Sequence, residues 1–493
     1  MNKQTFAMLI LLGMLAACAP ATQPTLSAQP PNPTTQSPTI SSTPTQTPRP
    51  SDTPQPTPTR TPTPTTAPSA TPAAAINLNR FDPDLHPAID VLHNAPELAR
   101  HDETVQLAFD FVCGYMFEPP GFACNYEGTL FYTYGASNEF IALPLKRTIQ
   151  DEVEVWAAQL PAADAGGRSL RYYLQVYDPQ IGLAVRYPLA GTFDVFTVTE
   201  FIPVEFPEQQ AVQPGELVLA LPWGSGPEAV GLQQRAGYPS REGPVAIAVA
   251  EDGRIALLDH VNGRILIYHP SEQSFASLPL PFQYSEVGSA LQFDREGQLA
   301  VLDAYGGPGA ASGNIRVPRI YRLNPDGSIR AVAPVFAALP GKINRDLEVL
   351  DDRDGSWLSP FGPNGEPNSR QAQREKRPQE LPYRYVENMD PFVARFGDVV
   401  AGLAFEVHSV SPLGAITNFE KTPHGYLAIF SSGDQIRAVW FDASGKVWQD
   451  ASLPNEQYAE VYFLTQVAIG QDGSVYVLGS TPRGVNVRFV PAP

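Results

Sequence analysis

"GPVAIAVAEDGRIALLDHVNGRILIYHP" spans Gly243–Pro270. It reads as three short strands and two tight turns. Val245–Ala250 is the first strand, and "EDG" turns it, with Gly253 free to take the positive φ that such turns need. Arg254–Asp259 is the second strand, and Asn262-Gly263 is a strong hairpin signal before the third, "RILIYHP". "FASLPLP" (Phe275–Pro281) follows as a fourth strand whose prolines suit a sheet edge. Four antiparallel strands in about 40 residues is the size of one propeller blade.

The pattern recurs as "SALQFDREGQLAVLD" (Ser289–Asp303), "AITNFEKTPHGYLAIFSSGDQIRAVWFDASGKV" (Ala415–Val447) and "LTQVAIGQDGSVYVLGSTPRGVNVRFVP" (Leu464–Pro491). The turn glycines Gly253, Gly297, Gly425 and Gly473 are separated by 44, 128 and 48 residues. The long interval fits three periods of about 43 residues and so predicts two degenerate repeats inside it. Upstream, "GELVLALPWGSG" and "AVGLQQ" read as strands of one more repeat, and "FIPVEF" (Phe201–Phe206) as a strand that pairs with the C-terminal blade. A single blade has two apolar faces and cannot bury both alone; a ring of blades buries each against the next and removes most open edges.

These residues resemble NHL-type β-propeller repeats. Pro244, Ala248, Val249, Asp252, Gly253, Ile255, Asp259, Asn262, Arg264 and Ile265 carry the resemblance. The second repeat keeps Asp294, Gly297, Leu299 and Asp303, then inserts a loop before Arg319 and Ile320; the last repeat has Gly479 where Asp259 stands in the first. The expectation for residues 201–493 is a propeller of six blades, or seven.

Ahead of it, residues 76–200 alternate strand-like runs with turn signals: "TVQLAFDFVC", "GTLFYTYG", "NEFIALPLKR", "EVEVWAAQLP" and "SLRYYLQVYD". Strands at this spacing predict a β-sandwich. Leu170, Tyr172, Leu174 and Val176 would face one side, and Tyr173, Gln175 and Tyr177 the other. The stretch resembles the fibronectin- and immunoglobulin-like modules of bacterial surface proteins, which space or bind. The fold class is therefore all-β: an N-terminal Ig/FnIII-like sandwich, then a propeller.

Residues 1–18 read as a lipoprotein signal. Lys3 supplies the positive start and Phe6–Leu12 an apolar run too short to span a bilayer. Leu15, Ala16, Ala17 and Cys18 resemble the bacterial lipobox, which implies cleavage before Cys18 and acylation of its sulfur. Each buried methylene of an acyl chain contributes about 0.8 kcal/mol, so two or more chains anchor stably. Residues 19–75 are almost entirely Pro, Thr, Ser, Ala and Gln, too poor in apolar bulk to form a core, and read as an extended stalk. The localisation expected is a cell membrane, lipid-anchored and facing the exterior, or the outer membrane or periplasm of a diderm cell. Of three cysteines, lipidation of Cys18 leaves Cys113 and Cys124 as an even pair, and an exported location permits a disulfide between them.

The chain carries a net charge of −18; leader and stalk contribute about +2, so the rest carries about −20. Such a body repels phosphate backbones, and no nucleic-acid partner is expected. The seven histidines are scattered without His-x-His or His-Glu-x-x-His spacing, and no Gly-x-Ser-x-Gly elbow occurs. Asp259 and His260 end a strand beside a turn and form a candidate ligand contact, with Asp303 at the equivalent place in the next repeat. "DDRDG" (Asp351–Gly355) lacks the alternating ligands and distal Glu of a calcium loop. Residues 351–382 break the blade period and read as an inserted surface loop, on which Trp357 and Phe361 form a candidate contact patch; Trp223 reads as packing between blades. No catalytic grouping or cofactor emerges. The reading is a surface lipoprotein whose propeller binds protein, peptide or glycan. The alternative is an extracellular propeller enzyme, a lyase or a lactone or sugar hydrolase, with a divalent cation at the channel mouth.

Overall fold

The computed structural model describes residues 89–93, 95–113, 126–150, 153–179, 183–188, 191–208, 212–234, 240–282, 289–304, 317–337, 340–351, 356–369, 372–373, 388–459 and 465–493. The leader, the stalk, Cys18 and Cys124 lie outside them, as does the side chain of Cys113.

Two main sheets form the N-terminal part, beside a parallel pair of Leu98–Arg100 with Phe196–Val198. One runs in the order Ile89–Leu92, Thr104–Cys113, Val153–Pro161, Lys146–Gln150. The other runs Phe193–Asp194, Leu170–Asp178, Glu127–Tyr134, Ile141–Pro144, and Leu183–Tyr187 also pairs with Leu170–Asp178. Both contribute to one apolar core: Leu107 and Phe109 from the first sheet meet Leu130 and the row Leu170, Tyr172, Leu174 and Val176 from the second, all fully buried. That row is the inward face expected from the alternation of "LRYYLQVYD". Outward, Tyr173 stacks on Phe131 of the neighbouring strand at 4.9 Å.

Beyond residue 201 the described residues form six sheets, here A to F in chain order. Sheet A comprises Ile247–Val249, Ile255–Asp259, Arg264–His269 and Ser274–Pro279. Sheet B comprises Ala290–Phe293, Leu299–Asp303, Arg319–Leu323 and Ile329–Pro334. Sheet C has three strands, Pro340–Ile343, Val349–Asp351 and Ser356–Leu358. Sheet D runs Asn388–Asp390, Val393–Asp398, Leu403–Ser409. Sheet E runs Ala415–Thr422, Gly425–Ser432, Gln435–Phe441, Val447–Pro454, and sheet F runs Val467–Ile469, Val475–Thr481, Gly484–Val490.

The sheets stack face to face through separate apolar layers. Leu258 and Ile265 of A meet Val301 and Tyr321 of B; Leu302 and Ile320 of B meet Val349 and Leu358 of C. Phe396 and Phe405 of D meet Phe419 and Phe430 of E; Leu427 and Trp440 of E meet Val475 and Val477 of F. Leu478 and Val487 of F meet Leu257 and Leu266 of A, which joins the last sheet to the first. The first strands of F, A, B and C lie against one another in that order around the axis. This is a β-propeller, and each buried Val, Leu or Ile contributes about 1.5–3 kcal/mol.

Three expectations change. Glu216–Pro222 does not begin a further repeat; it pairs antiparallel with Gly484–Val490 as the outer strand of sheet F and so locks the ring. "FIPVEF" does not reach the C-terminal blade either. Ile202–Phe206 pairs in parallel with Leu403–Ser409 at the outer edge of sheet D. The reason is where the chain leaves the sandwich: Val198 and Leu98 pack on Ala404 of sheet D, which delivers the following residues to that edge. Third, the described residues of 351–382 are not loop throughout. Asp351 ends a strand of sheet C, Ser356–Leu358 is its third strand, and Ser359 N–H donates to the carbonyl of Gln373. The fully buried Gln373 amide in turn donates to Pro334 O at 2.7 Å.

Candidate functional site

The residues that carry the repeat pattern are tied into the scaffold. Asp259 is fully buried at the end of the second strand of sheet A. One carboxylate oxygen accepts from Gly231 N–H at 2.8 Å; the other accepts from Asn262 Nδ2 at 2.8 Å and Arg264 Nε at 2.9 Å. Arg264 continues to the carbonyls of Gly226 and Ala229 at 2.8 and 2.5 Å. Asp259, Asn262 and Arg264 thus clamp sheet A to the segment that enters it, which explains why the repeat needs these three residue types together. His260 follows in a single 3-10 turn, its Nε2 3.7 Å from Glu242. Asp303 and Asp351 end the second strands of sheets B and C, buried like Asp259 and facing Arg319 and Ser356 in register. The three aspartates occupy equivalent positions in sheets A, B and C. Among the described residues no three His, Cys, Asp or Glu side chains are grouped to hold a metal ion.

Trp223, which follows the closing strand, donates its indole N–H to Thr481 O in sheet F at 3.0 Å. Phe361 packs on the apolar layer between sheets B and C. Trp357 lies elsewhere, on the third strand of sheet C with Lys342 Nζ 6.0 Å from its ring centroid.

That pair marks the place where charge gathers near the axis. Apolar layers join A to B, B to C, D to E, E to F and F to A, but among the described residues none joins C to D. From the first strand of sheet C, Lys342 reaches the carbonyl of Thr417, on the first strand of sheet E, at 3.2 Å. Arg345, in the following turn, donates to the carbonyl of Ile469, which ends the first strand of sheet F, at 3.0 Å. Contacts from C to both E and F cross the axis rather than follow the ring. Glu420 of sheet E, partly buried, lies in electrostatic range of both cations, and Asn418 Nδ2 donates weakly to its Oε1 at 3.4 Å. Burial pushes the Glu420 carboxyl above its ordinary range, against the pull of Lys342 and Arg345. Asn418 Oδ1 is buried without a donor.

The neighbouring charges are engaged in other contacts. Asp346 pairs with Arg295 at 2.5 Å, and Lys421 with Asp398 at 3.2 Å. Glu348 accepts from Asn344 at 2.9 Å and from Ser359 at 3.1 Å. Lys342, Arg345 and Trp357 from sheet C and its turn, and Asn418 and Glu420 from sheet E, converge here. Sequence reading found only Trp357 among them. The available signal was charge on strands that should be apolar throughout: "PGKIN" and "TNFEK" stand where sheet A has "AIAVA".

No protein-family model and no curated protein matches the chain. Among solved structures, a streptogramin B lyase is similar at 12% identity over 73% of this chain and 98% of its own, with a TM-score of 0.29. A calcium-binding protein, regucalcin from Agrobacterium tumefaciens, is similar at 11% identity over 58% of this chain and 94% of its own, with a TM-score of 0.24. Likenesses this distant carry no argument about ligand or reaction, and the propeller assignment rests on the sheet topology.

Proposed function

We propose that this chain is a lipoprotein held to a membrane through acylated Cys18, raised on a Pro/Thr-rich stalk, and displaying a propeller that binds a ligand outside the cell. Six blades with an Ig- or FnIII-like sandwich between stalk and propeller is the reading of its architecture that we adopt. The observation that carries the binding function is the meeting of Lys342, Arg345, Trp357, Asn418 and Glu420 near the propeller axis. A few polar groups converging on one place are what orient a bound ligand.

The test uses the detergent-solubilised full chain and its Lys342→Met/Arg345→Met double variant, each incubated with envelope extract and culture medium and then examined by native mass spectrometry. Co-purification of a protein, peptide or glycan with the wild type and not with the double variant is expected. Equal recovery by both removes the site from the reading. Labelling with a radioactive fatty acid, lost in Cys18→Ser, tests the anchor.

A second reading, an extracellular enzyme, is favoured by one observation. A carboxyl raised by burial, as Glu420 is, is the kind of group that serves in proton transfer. On that reading a divalent cation would be bound at the channel mouth. Turnover of a lactone or sugar substrate that is abolished in Glu420→Gln, with metal dependence, would select it.

A further inference from the structure

Trp223 and His260, both prominent in the sequence, belong to a second cluster that the axial residues do not include. It lies over the seam between sheets F and A. That is the end of the ring carrying the turns between second and third strands, Asp259 to Arg264 in A and Thr481 to Gly484 in F. Arg345 stands on a turn between a first and a second strand, at the opposite end.

The Trp223 indole N–H is taken by Thr481 O, so the ring is what it offers a ligand. Tyr458 lies beside it, with ring centroids 6.5 Å apart. The Arg241 guanidinium lies over Tyr458, 4.4 Å from its ring centroid. All three side chains are half-buried. Each leaves a fixed backbone. Trp223 is bridged to Val230, and Glu242, next to Arg241, exchanges both backbone hydrogen bonds with Gln233 at 2.9 and 2.7 Å. Tyr458 N–H donates to Ser480 O at 3.1 Å. Gly243 keeps the indole close: a Cβ there would stand 3.2 Å from the Trp223 ring and 3.0 Å from Ala459.

Among the described residues Arg241 has no hydrogen-bond or ion-pair partner and only stacks on Tyr458. The adjacent carboxylate, Glu242, is directed to His260, 3.7 Å from its Nε2. A guanidinium stacked on a ring keeps the N–H groups in its plane for an anion, and their fork matches a carboxylate. A body of about −20 favours a single negative charge over a phosphate dianion. The three side chains supply rings and donors but, apart from the Tyr458 hydroxyl, no acceptor. A sugar acid brings several hydroxyl donors that would lose water without finding acceptors. A peptide C-terminus brings one carboxylate and one apolar side chain, which Arg241 and the two rings match.

We propose that Trp223, Arg241 and Tyr458 form a site for the free C-terminus of a peptide that ends in a bulky apolar residue. Arg241 holds the carboxylate, and Trp223 and Tyr458 pack against the last side chain.

Calorimetric titration of the detergent-solubilised full chain tests this. The probes are N-acetyl-tetraalanyl-phenylalanine as the free acid, the same peptide as its C-terminal amide, N-acetyl-pentaalanine as the free acid, methyl glucuronoside and inorganic phosphate. The phenylalanine acid is expected to bind at least about ten-fold more tightly than its amide, the glucuronoside or phosphate, and several-fold more tightly than the alanine acid. Arg241→Met should bring acid and amide to equal affinity and leave amide binding near its wild-type value. An arginine that merely props Tyr458 would lower both together when removed. Arg241→Lys, which keeps the charge and loses the fork, should reduce the acid preference several-fold and serves if the Met variant fails to fold. Equal binding of acid and amide by the wild type, preference for the glucuronoside or phosphate, no peptide binding, or an acid preference unchanged in the Arg241 variants overturns the proposal. So does loss of the acid preference in the Lys342→Met/Arg345→Met double variant, which would put the carboxylate at the axis.

Discussion

Arg395 of sheet D holds Glu103 of the sandwich through both terminal nitrogens, at 3.0 and 2.8 Å, across 292 residues of sequence. Its Nε bonds Glu406 on the adjacent strand at 2.9 Å, and its guanidinium lies 4.2 Å from the centre of the Phe201 ring. One side chain therefore joins the sandwich, the connecting residues and the propeller.

Replacing Arg395 by Met should cost about 2–3 kcal/mol, since it leaves two partly buried carboxylates facing each other. Arg395→Lys should recover little, because an ammonium cannot hold two carboxylates in the same fork. Chemical denaturation of the full chain checks both. Burial is the largest influence and opposes ionisation of Glu103, but the hydrogen bonds and charges of Arg395 and Arg100 together outweigh it and hold the carboxyl below its ordinary range. The joint is therefore complete above that ordinary value and weakens as pH falls through the lower folded value. In Arg395→Met this acid-linked part of the loss should shrink, leaving only what the Arg100 contacts hold.

His93 gives the sandwich a second, separate acid sensitivity. It is buried against Phe109 at 4.0 Å; Nδ1 donates to Ala108 O at 2.7 Å and Nε2 accepts from the Tyr172 hydroxyl at 2.9 Å. Burial lowers its pKa from 6.5 to about 4, the Ala108 hydrogen bond opposing. The unfolded chain takes the proton first, so stability is full above pH 6.5 and falls as pH drops towards about 4. The loss should approach roughly 3 kcal/mol. His93→Gln should be less stable at pH 7.5 and should flatten that slope. Urea titrations at several pH values read both, and an unchanged slope would refute the assignment.

Asp259→Asn should destabilise sheet A by about 3 kcal/mol, because Arg264 loses its counter-charge in a nearly closed site. Hydrogen exchange should rise first in residues 224–231, the segment that Asp259 and Arg264 hold. Exchange that rises uniformly over the chain would argue against a local clamp.

Gly484→Ala should loosen the ring at its closure. A Cβ there would sit 1.9 Å from the carbonyl oxygen of Leu221, on the strand that completes sheet F, and the backbone φ of +156° disfavours a side chain as well. Limited proteolysis should then cut within 207–222 faster than in wild type. Gly253→Ala, whose Cβ would meet nothing within 4 Å, should cost only the strain of its φ of +83° and leave the closure intact.

The strands, their turns and the all-β class were legible because period-two alternation and Asn-Gly, Asp-Gly turns are local signals. Asp259, Asn262 and Arg264 could be picked out as a pattern for the same reason, though not what they hold, since Gly231 and Ala229 lie far upstream. The row Leu170, Tyr172, Leu174 and Val176 was assigned its buried face from alternation alone. Tertiary structure decided which strand closes the ring. "FIPVEF" and "ELVLALP" are both plausible edge strands, and only the docking of Val198 on Ala404 sends the first to sheet D and frees the second for sheet F. It also decided the site, because Lys342 and Glu420 are separated by two sheet lengths of chain and meet only where the circle brings them across its axis.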